Sequence, residues 1–365
     1  MTVASETQAT VERVERADLA GLKDLDIDDV YAHIDALLAE LPGPLDLYQR
    51  WERQQWSAAE LDFTTDKQHW AALGPFLQDQ LTQIFSGFFV GEQAVTDTLA
   101  PLLLAAPDEE SRWFLSTQVV DEARHAYFFS RFFSEVLYDG ATLQATLAKA
   151  RAWSNSNVYN QIFGREGELV RATEAVRLDP HDYGKWVEGI VVYHVLVEGI
   201  LALVGQRLIL RILRNLDLLP AFRAGFTAVT RDESRHVNYG IWALQRAVKA
   251  GEEDHVRAVV DRAIKPTLRV YVNPERLISI PRDVPPGSRI DPRTNWTYAI
   301  ESLTRRLRAA GVAADYLEAK RQQGWEIVWE AVAEYEGIHG ENHPVREWED
   351  GTIPRLIAEA AGQTA

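Results

Sequence analysis

The sequence predicts an all-α protein, and three observations predict it. Apolar residues repeat at helical spacing over long segments, and no run of alternating β-branched residues asks for a sheet. One pentapeptide also occurs twice inside such segments, as Asp121-Glu122-Ala123-Arg124-His125 and Asp232-Glu233-Ser234-Arg235-His236. Residues 1–45 read as an arm and a helix. The first 26 are polar and acidic with little periodicity and read as a mobile arm. Val30, Ile34, Leu37, Leu38 and Leu41 then follow helical spacing as far as Pro42-Gly43-Pro44. The span 46–275 reads as a helical bundle. It opens with a segment carrying Trp51 and Trp56, and a helix over 66–82 begins at Asp66. The apolar stretch 85–104 follows, with Glu92 the one acid in its first half, and Pro101 should kink it near its end. Pro107-Asp108 opens a helix that runs through the first pentapeptide to about Leu137, and short helices fill 141–177. Asp179-Pro180-His181 starts a helix through Glu198 to about Leu213, and Leu219-Pro220 leads into the helix with the second pentapeptide. In the span 276–365, Pro281, Pro285, Pro286, Gly287 and Pro292 mark a long loop before helices near 295–310 and 313–336.

Composition narrows the partners. With 46% hydrophobic and 10% aromatic residues, the 365-residue chain has material for a large core. A net charge of −16 speaks against a surface that tracks nucleic acid. The absence of cysteine removes disulfides, thiolate metal sites and a Cys nucleophile. The start, Met1-Thr2-Val3-Ala4-Ser5-Glu6, lacks the basic and apolar regions of a signal peptide, and no uninterrupted apolar run reaches about 18 residues. The expectation is a cytoplasmic protein with no membrane span.

The pentapeptides carry the chemistry. Residues three apart share a helix face, so Glu122 with His125, and Glu233 with His236, each aim a carboxylate and an imidazole the same way. A lone Glu-x-x-His is weak, since Glu252–His255 and Glu336–His339 also fit it; agreement at the repeated positions is what makes the pair specific. Glu92 precedes the first copy by thirty residues and Glu198 the second by thirty-five, each within an apolar stretch. That inventory, one Glu from each of two helices and Glu-x-x-His from each of two more, belongs to ferritin-like dimetal carboxylate bundles. It makes Glu92, Glu122, His125, Glu198, Glu233 and His236 the candidate ligands of two metal ions, and carboxylate with imidazole suits manganese or iron. For Glu92 or Glu198 alone, the alternative is an acid paired with a nearby Lys or Arg. Glu188 competes with Glu198, because Val187-Glu188-Gly189-Ile190 repeats as Val197-Glu198-Gly199-Ile200; the longer apolar run and the matching spacing favour Glu198. Asp121 and Asp232 are candidates to hold the far nitrogen of a ligand histidine, or else surface acids paired with Arg124 or Arg235. His194 either faces the metals or is a hydrogen-bonded core histidine.

These residues resemble the ribonucleotide reductase small-subunit superfamily over about 50–245, including Trp56 and Glu60-Leu61-Asp62-Phe63 ahead of Asp66. Within it the chain is similar to the small-subunit-like ligand-binding oxidases. The resemblance implies an O2-activating Mn/Fe or Fe/Fe oxidase or oxygenase, a homodimer, and a fatty-acid-like or otherwise apolar ligand, and it names no electron donor. In that group a valine three residues after the first glutamate is ether-crosslinked to a tyrosine five residues before the third. Val95 and Tyr193 stand at those offsets and become candidate catalytic residues. Phe88, Phe89, Val95, Phe129 and Leu201 are candidates to line an apolar channel, with ordinary core packing as their alternative.

Three related readings compete. A reductase small subunit usually has a radical tyrosine four residues after the first ligand histidine; that position is Phe129, although a Mn/Fe minority class also has Phe there. The 348–365 tail also lacks a tyrosine to relay a radical. An N-oxygenase of the p-aminobenzoate type adds a histidine four residues before the last glutamate, where this chain has Val229. An iron-storage chain is shorter and forms shells.

Overall fold

Each long helix of the interior begins where local chemistry allows it. The computed structural model describes residues 3–276 and 289–363. Pro75 lies in the first turn of the helix Pro75–Thr98, where its missing N–H has no partner to lose. This helix therefore starts ten residues earlier than hydrophobicity alone indicates, and the preceding helix, Thr64–Ala72, is correspondingly short. The chain breaks at Leu99 and restarts as Ala100–Leu104 with Pro101 in its first turn. Asp108 caps the helix Glu109–Phe132 by accepting the Ser111 N–H at 2.9 Å. Asp182 caps the next long element by accepting the Lys185 N–H at 3.1 Å. Leu219, in the left-handed region at φ 52°, turns the chain into the helix Pro220–Lys249. The first free N–H groups of that helix, on Ala221 and Phe222, are accepted by the buried Asp66 carboxylate at 3.0 and 2.7 Å.

The element from Tyr183 to Asn215 is composite. Its middle, Val191–Ala202, is a π-helix flanked by α-helical turns. Such widened turns are uncommon and concentrate at functional sites; this one carries Tyr193, His194 and Glu198. By length and composition the element could cross a membrane, but 89% of its apolar window is buried inside the protein, so it is the core helix of the bundle.

The helix Pro75–Thr98 packs on Glu109–Phe132, the π segment packs on Pro220–Lys249, and the two helices with the pentapeptides touch each other. A cluster of phenyl rings knits the bundle at one end. Phe222 lies 4.6 Å from Phe85 and 4.5 Å from Phe132, centroid to centroid, and 5.1 Å from Phe226. No strand occurs among the described residues.

The N-terminal region differs from expectation. Residues Val3–Arg16 and Leu19–Leu22 are helical, not a mobile arm, and the first of these helices packs on Ile27–Glu40. Sparse apolar positions suffice, because Val14 and Leu22 are fully buried and Arg231 donates to the Ala17 carbonyl at 2.8 Å. At the other end, Pro281, Pro285, Pro286 and Gly287 lie outside the described residues, whereas Pro292 occupies the first turn of a helix, Pro292–Ala309. That helix packs on the π segment. The next, Ala314–His339, packs on Glu253–Arg269, where Lys265 pairs with Glu330 at 2.9 Å.

Candidate metal centre

Four helical elements converge on one buried volume. Glu92 comes from Pro75–Thr98, Glu122 and His125 from Glu109–Phe132, Glu198 from the π segment, and Glu233 and His236 from Pro220–Lys249. All six side chains are buried. Ligand atoms of Glu92, Glu122, His125 and Glu233 lie within 4.8 Å of one another, as do those of Glu122, Glu198, Glu233 and His236. The sets share Glu122 and Glu233, and the cluster is able to bind two metal ions.

The imidazoles are oriented for that task. Nδ1 of His125 faces Glu92 at 3.3 Å and Glu122 at 3.6 Å, and Nδ1 of His236 faces Glu122 and Glu198, each at 3.4 Å. Their outer nitrogens are held by aspartates that cross between the repeats: Nε2 of His125 lies 3.2 Å from Asp232, and Nε2 of His236 lies 3.1 Å from Asp121. An aspartate accepting the Nε2 proton fixes the tautomer and leaves the Nδ1 lone pair facing inward. Both aspartates are buried and also bind arginine, with Arg235 donating to Asp121 at 2.9 Å and to Asp232 at 2.6 Å. Trp51 and Trp56 donate to Asp121 and Asp232 at 2.9 and 2.8 Å.

Electrostatics give the test of fit. Burial pushes the Glu92 carboxyl up to about 8 and raises Glu198 and Glu233 as well. For Glu122 burial acts in the same direction, but the two imidazoles outweigh it and its pKa ends below the ordinary value. Burial disfavours imidazolium at His125 and His236, yet the surrounding carboxylates raise both well above the usual value. This cluster wants positive charge. One oxygen each of Glu92 and Glu198, both of Glu122 and Nδ1 of His125 have no hydrogen-bond partner despite full burial, an expensive arrangement that divalent cations would satisfy.

Sequence reasoning missed Gln118, one turn before Glu122. Its amide donates to Glu198 at 2.7 Å, and its carbonyl oxygen lies 3.1 Å from Nε2 of His194. His194 is thus a core histidine two bonds removed from the carboxylates, and burial with nearby His236 pushes its pKa down to about 3. Gly240 lets the Pro220–Lys249 helix approach it, since a Cβ there would lie 2.2 Å from Cβ of His194. Gly240→Ala is expected to destabilise the protein by roughly 1–3 kcal/mol through overpacking. It should also weaken metal retention by displacing the His194–Gln118–Glu198 chain, as denaturant titration and elemental analysis would show.

Other candidates fall in distinct places. Tyr193 is fully buried and its hydroxyl donates to the Val95 carbonyl at 3.2 Å. Phe129 is fully buried among Phe88, Phe89 and Phe226. Glu188 pairs with His255 and Arg262 at 3.0 and 2.9 Å, away from the cluster, and Glu336 pairs with Arg346. A cavity of about 720 Å³ begins at Glu92, Glu198 and Glu233 and is walled by Phe88, Val95 and Leu201. Phe89 and Phe129 belong to the solid core instead of the channel wall, because both rings are fully occluded by neighbouring phenyl groups.

Fold and site together define a ferritin-like all-α bundle around a carboxylate–histidine centre. The chain matches the family of ribonucleotide reductase small chains over residues 39–275, and it belongs to that family. It is similar in fold to solved R2-like ligand-binding oxidases. One is a variant with an anaerobically reconstituted Mn/Fe cofactor, at TM-score 0.55 and 22% identity, with 78% of this chain and 93% of that one covered. Another is the oxidase with its aerobically reconstituted metal cofactor after photoconversion, also at 0.55 and 22%, covering 80% and 92%. A third, a variant with aerobically reconstituted Mn/Fe cofactor, reaches 0.56 at 22%, covering 80% and 94%.

Proposed function

We propose that this chain is a non-haem dimetal oxidase that activates O2 beside an apolar, fatty-acid-like ligand. The observation that carries the reading is the pair of overlapping buried ligand sets, one of Glu92, Glu122, His125 and Glu233 and the other of Glu122, Glu198, Glu233 and His236. In this reading Glu92 and His125 belong to one ion, Glu198 and His236 to the other, and Glu122 and Glu233 serve both. The donor set suits Mn/Fe or Fe/Fe, and the similar oxidases named above hold Mn/Fe. Once bound, the metal pair supplies the electrons for O2 reduction and the oxidising power that follows.

The chain's own groups do the rest. Asp121 and Asp232 keep a proton on the outer nitrogen of each histidine, and Gln118 orients Glu198. The surrounding phenyl rings exclude water, and the cavity offers space of the size that small-molecule sites use. Phe129 offers no hydroxyl for a stored radical, which sets the chain apart from the reductase subunits that use a tyrosine there but not from the Mn/Fe class that has Phe. The contact between the Tyr193 hydroxyl and the Val95 backbone supports an ether bond from Tyr193 Oη to Cβ of Val95. Forming it removes one hydrogen from each residue, two electrons and two protons in all, with O2 as acceptor. A stripe of exposed Trp113, Val120 and Tyr127 on the outer face of the Glu109–Phe132 helix offers an apolar surface to a second copy, in keeping with a homodimer.

Anomalous diffraction at the manganese and iron edges, on crystals of aerobically produced protein, tests the metal assignment. Ions between the six side chains are expected; their absence from a protein supplied with both metals would end the reading. Peptide mass spectrometry of the same sample should find the Val95 and Tyr193 peptides joined with loss of two hydrogens, and Tyr193→Phe should abolish that species.

A further inference from the structure

The helix Pro292–Ala309 carries a buried cation without a counter-charge. Arg306 is 2% exposed, yet its guanidinium forms no ion pair among the described residues, and neither Nε nor Nη1 has a hydrogen-bond acceptor. The buried arginines near the metal centre are held differently, Arg235 by Asp121 and Asp232, and Arg231 by the carbonyls of Ala17 and Gln54. Burial pushes the pKa of Arg306 down, and the neighbouring Arg305 adds to that. Asp35 acts the other way but is committed to Arg305 at 2.9 Å. A buried guanidinium lacking both an acceptor and an opposite charge is among the costliest arrangements in a protein interior.

Its surroundings are unpaired as well. Tyr298, Ser302 and Arg306 follow at four-residue spacing and share one face of their helix. The Ser302 and Tyr298 hydroxyls are buried without a partner. The face packs on the core helix Tyr183–Asn215, and two distances give the register of the contact. A Cβ at Gly199 would lie 3.3 Å from Nε of Arg306, and the Arg207 guanidinium stands 4.7 Å from the centre of the Tyr298 ring. The two helices therefore run antiparallel, and Ser302 lies opposite the stretch between Gly199 and Arg207. Gln206 belongs to that stretch, and both of its amide atoms are buried without a partner. Arg207 has its own acid, Asp28, at 3.3 Å. Gly199 and Arg306 do not line the cavity that reaches Glu198, so this polar pocket of side chains is separate from it.

We propose that Arg306 binds a chloride-sized monovalent anion at this contact, with the Ser302 hydroxyl one turn away as a second donor. The anion supplies the missing charge, which neither water nor the neutral Oε1 of Gln206 can do. A single-atom ion suits the room beside a side chain as small as that of Ser302. Its effect is to tie the C-terminal region to the π segment one residue from Glu198, and it holds whichever metals the centre takes.

Bromide locates the site. Crystals of the metal-loaded full-length protein grown in sodium bromide, measured at the bromine edge, should show an anomalous peak within hydrogen-bond reach of Arg306. In solution, replacing sodium gluconate by sodium chloride at constant ionic strength should raise the Tm of the wild type, since an ion that binds the folded state stabilises it. Arg306→Met should lack that rise. Ser302→Ala should need about tenfold more chloride for it, through loss of a hydrogen bond to a charged group. Water alone beside Arg306 in the bromide crystals, or an equal rise in the wild type and both variants, would overturn the assignment.

Discussion

Glu122→Ala protein, produced with manganese and iron in excess, is expected to retain neither ion, with affinity lowered more than about a hundredfold at each position. The size follows from geometry: Glu122 belongs to both ligand sets, and loss even of a residue that only supports a metal ligand typically lowers affinity by roughly 10–100-fold. His236→Ala removes a donor from one set and should empty that position first, so elemental analysis of the two variants should differ in how much metal remains. Stability gives an independent readout. Without metal, Glu122 is held ionised by the His125 and His236 imidazoles at 3.6 and 3.4 Å, so its removal leaves buried imidazoles short of a carboxylate and opens a small cavity, and the metal-free Tm should fall. The rise in Tm that metal gives the wild type should be missing in the variant, because ligand stabilisation requires a site to bind. Full metal content in Glu122→Ala would remove the assignment of both ions.

What the sequence displayed was whatever obeys a local period. Glu122 with His125, and Glu233 with His236, are visible because three residues make most of a turn, and Glu92 and Glu198 because an acid on an apolar stripe stands out. The crossed pairing of Asp121 with His236 and of Asp232 with His125 is set by how two helices face each other, which no spacing within one helix encodes. The π-helix at Val191–Ala202 was hidden for a related reason: an almost uninterrupted apolar run has no polar face from which to read a period. Gln118 was a legible residue type one turn from a ligand, yet only packing shows that it binds Glu198 and not its own helix. The N-terminal helix looked like an arm because its anchor, the Arg231 guanidinium, arrives from more than two hundred residues away. The part of the cavity lining that the C-terminal region supplies, Trp296 and Trp348 among it, was likewise invisible, since those residues carry no motif.

Acidification should unfold the wild type more readily than a variant lacking His33. This histidine is 1% exposed on the helix Ile27–Glu40, and burial with the nearby Arg231 and Arg235 pushes its pKa down to about 4. Glu15, 3.5 Å from Nε2, and Glu40 act the other way without restoring it. In the unfolded chain the ring takes up a proton below about 6.5; in the folded protein it stays neutral until the pH nears 4. The unfolded state therefore binds more protons between those values, so the stability present above about 6.5 is lost as the pH falls through the folded value. Between pH 7 and 4.5 the loss from this one group is about 2–3 kcal/mol. Denaturant titrations of metal-free wild type and His33→Leu at the two pH values measure it. The carboxylate–histidine cluster titrates in both proteins and cancels in the difference, so the wild type should lose more by that amount. Equal losses would mean that His33 is charged in the folded protein, held by Glu15, and that Arg231 and Arg235 do not govern the space between the N-terminal helices and the metal centre.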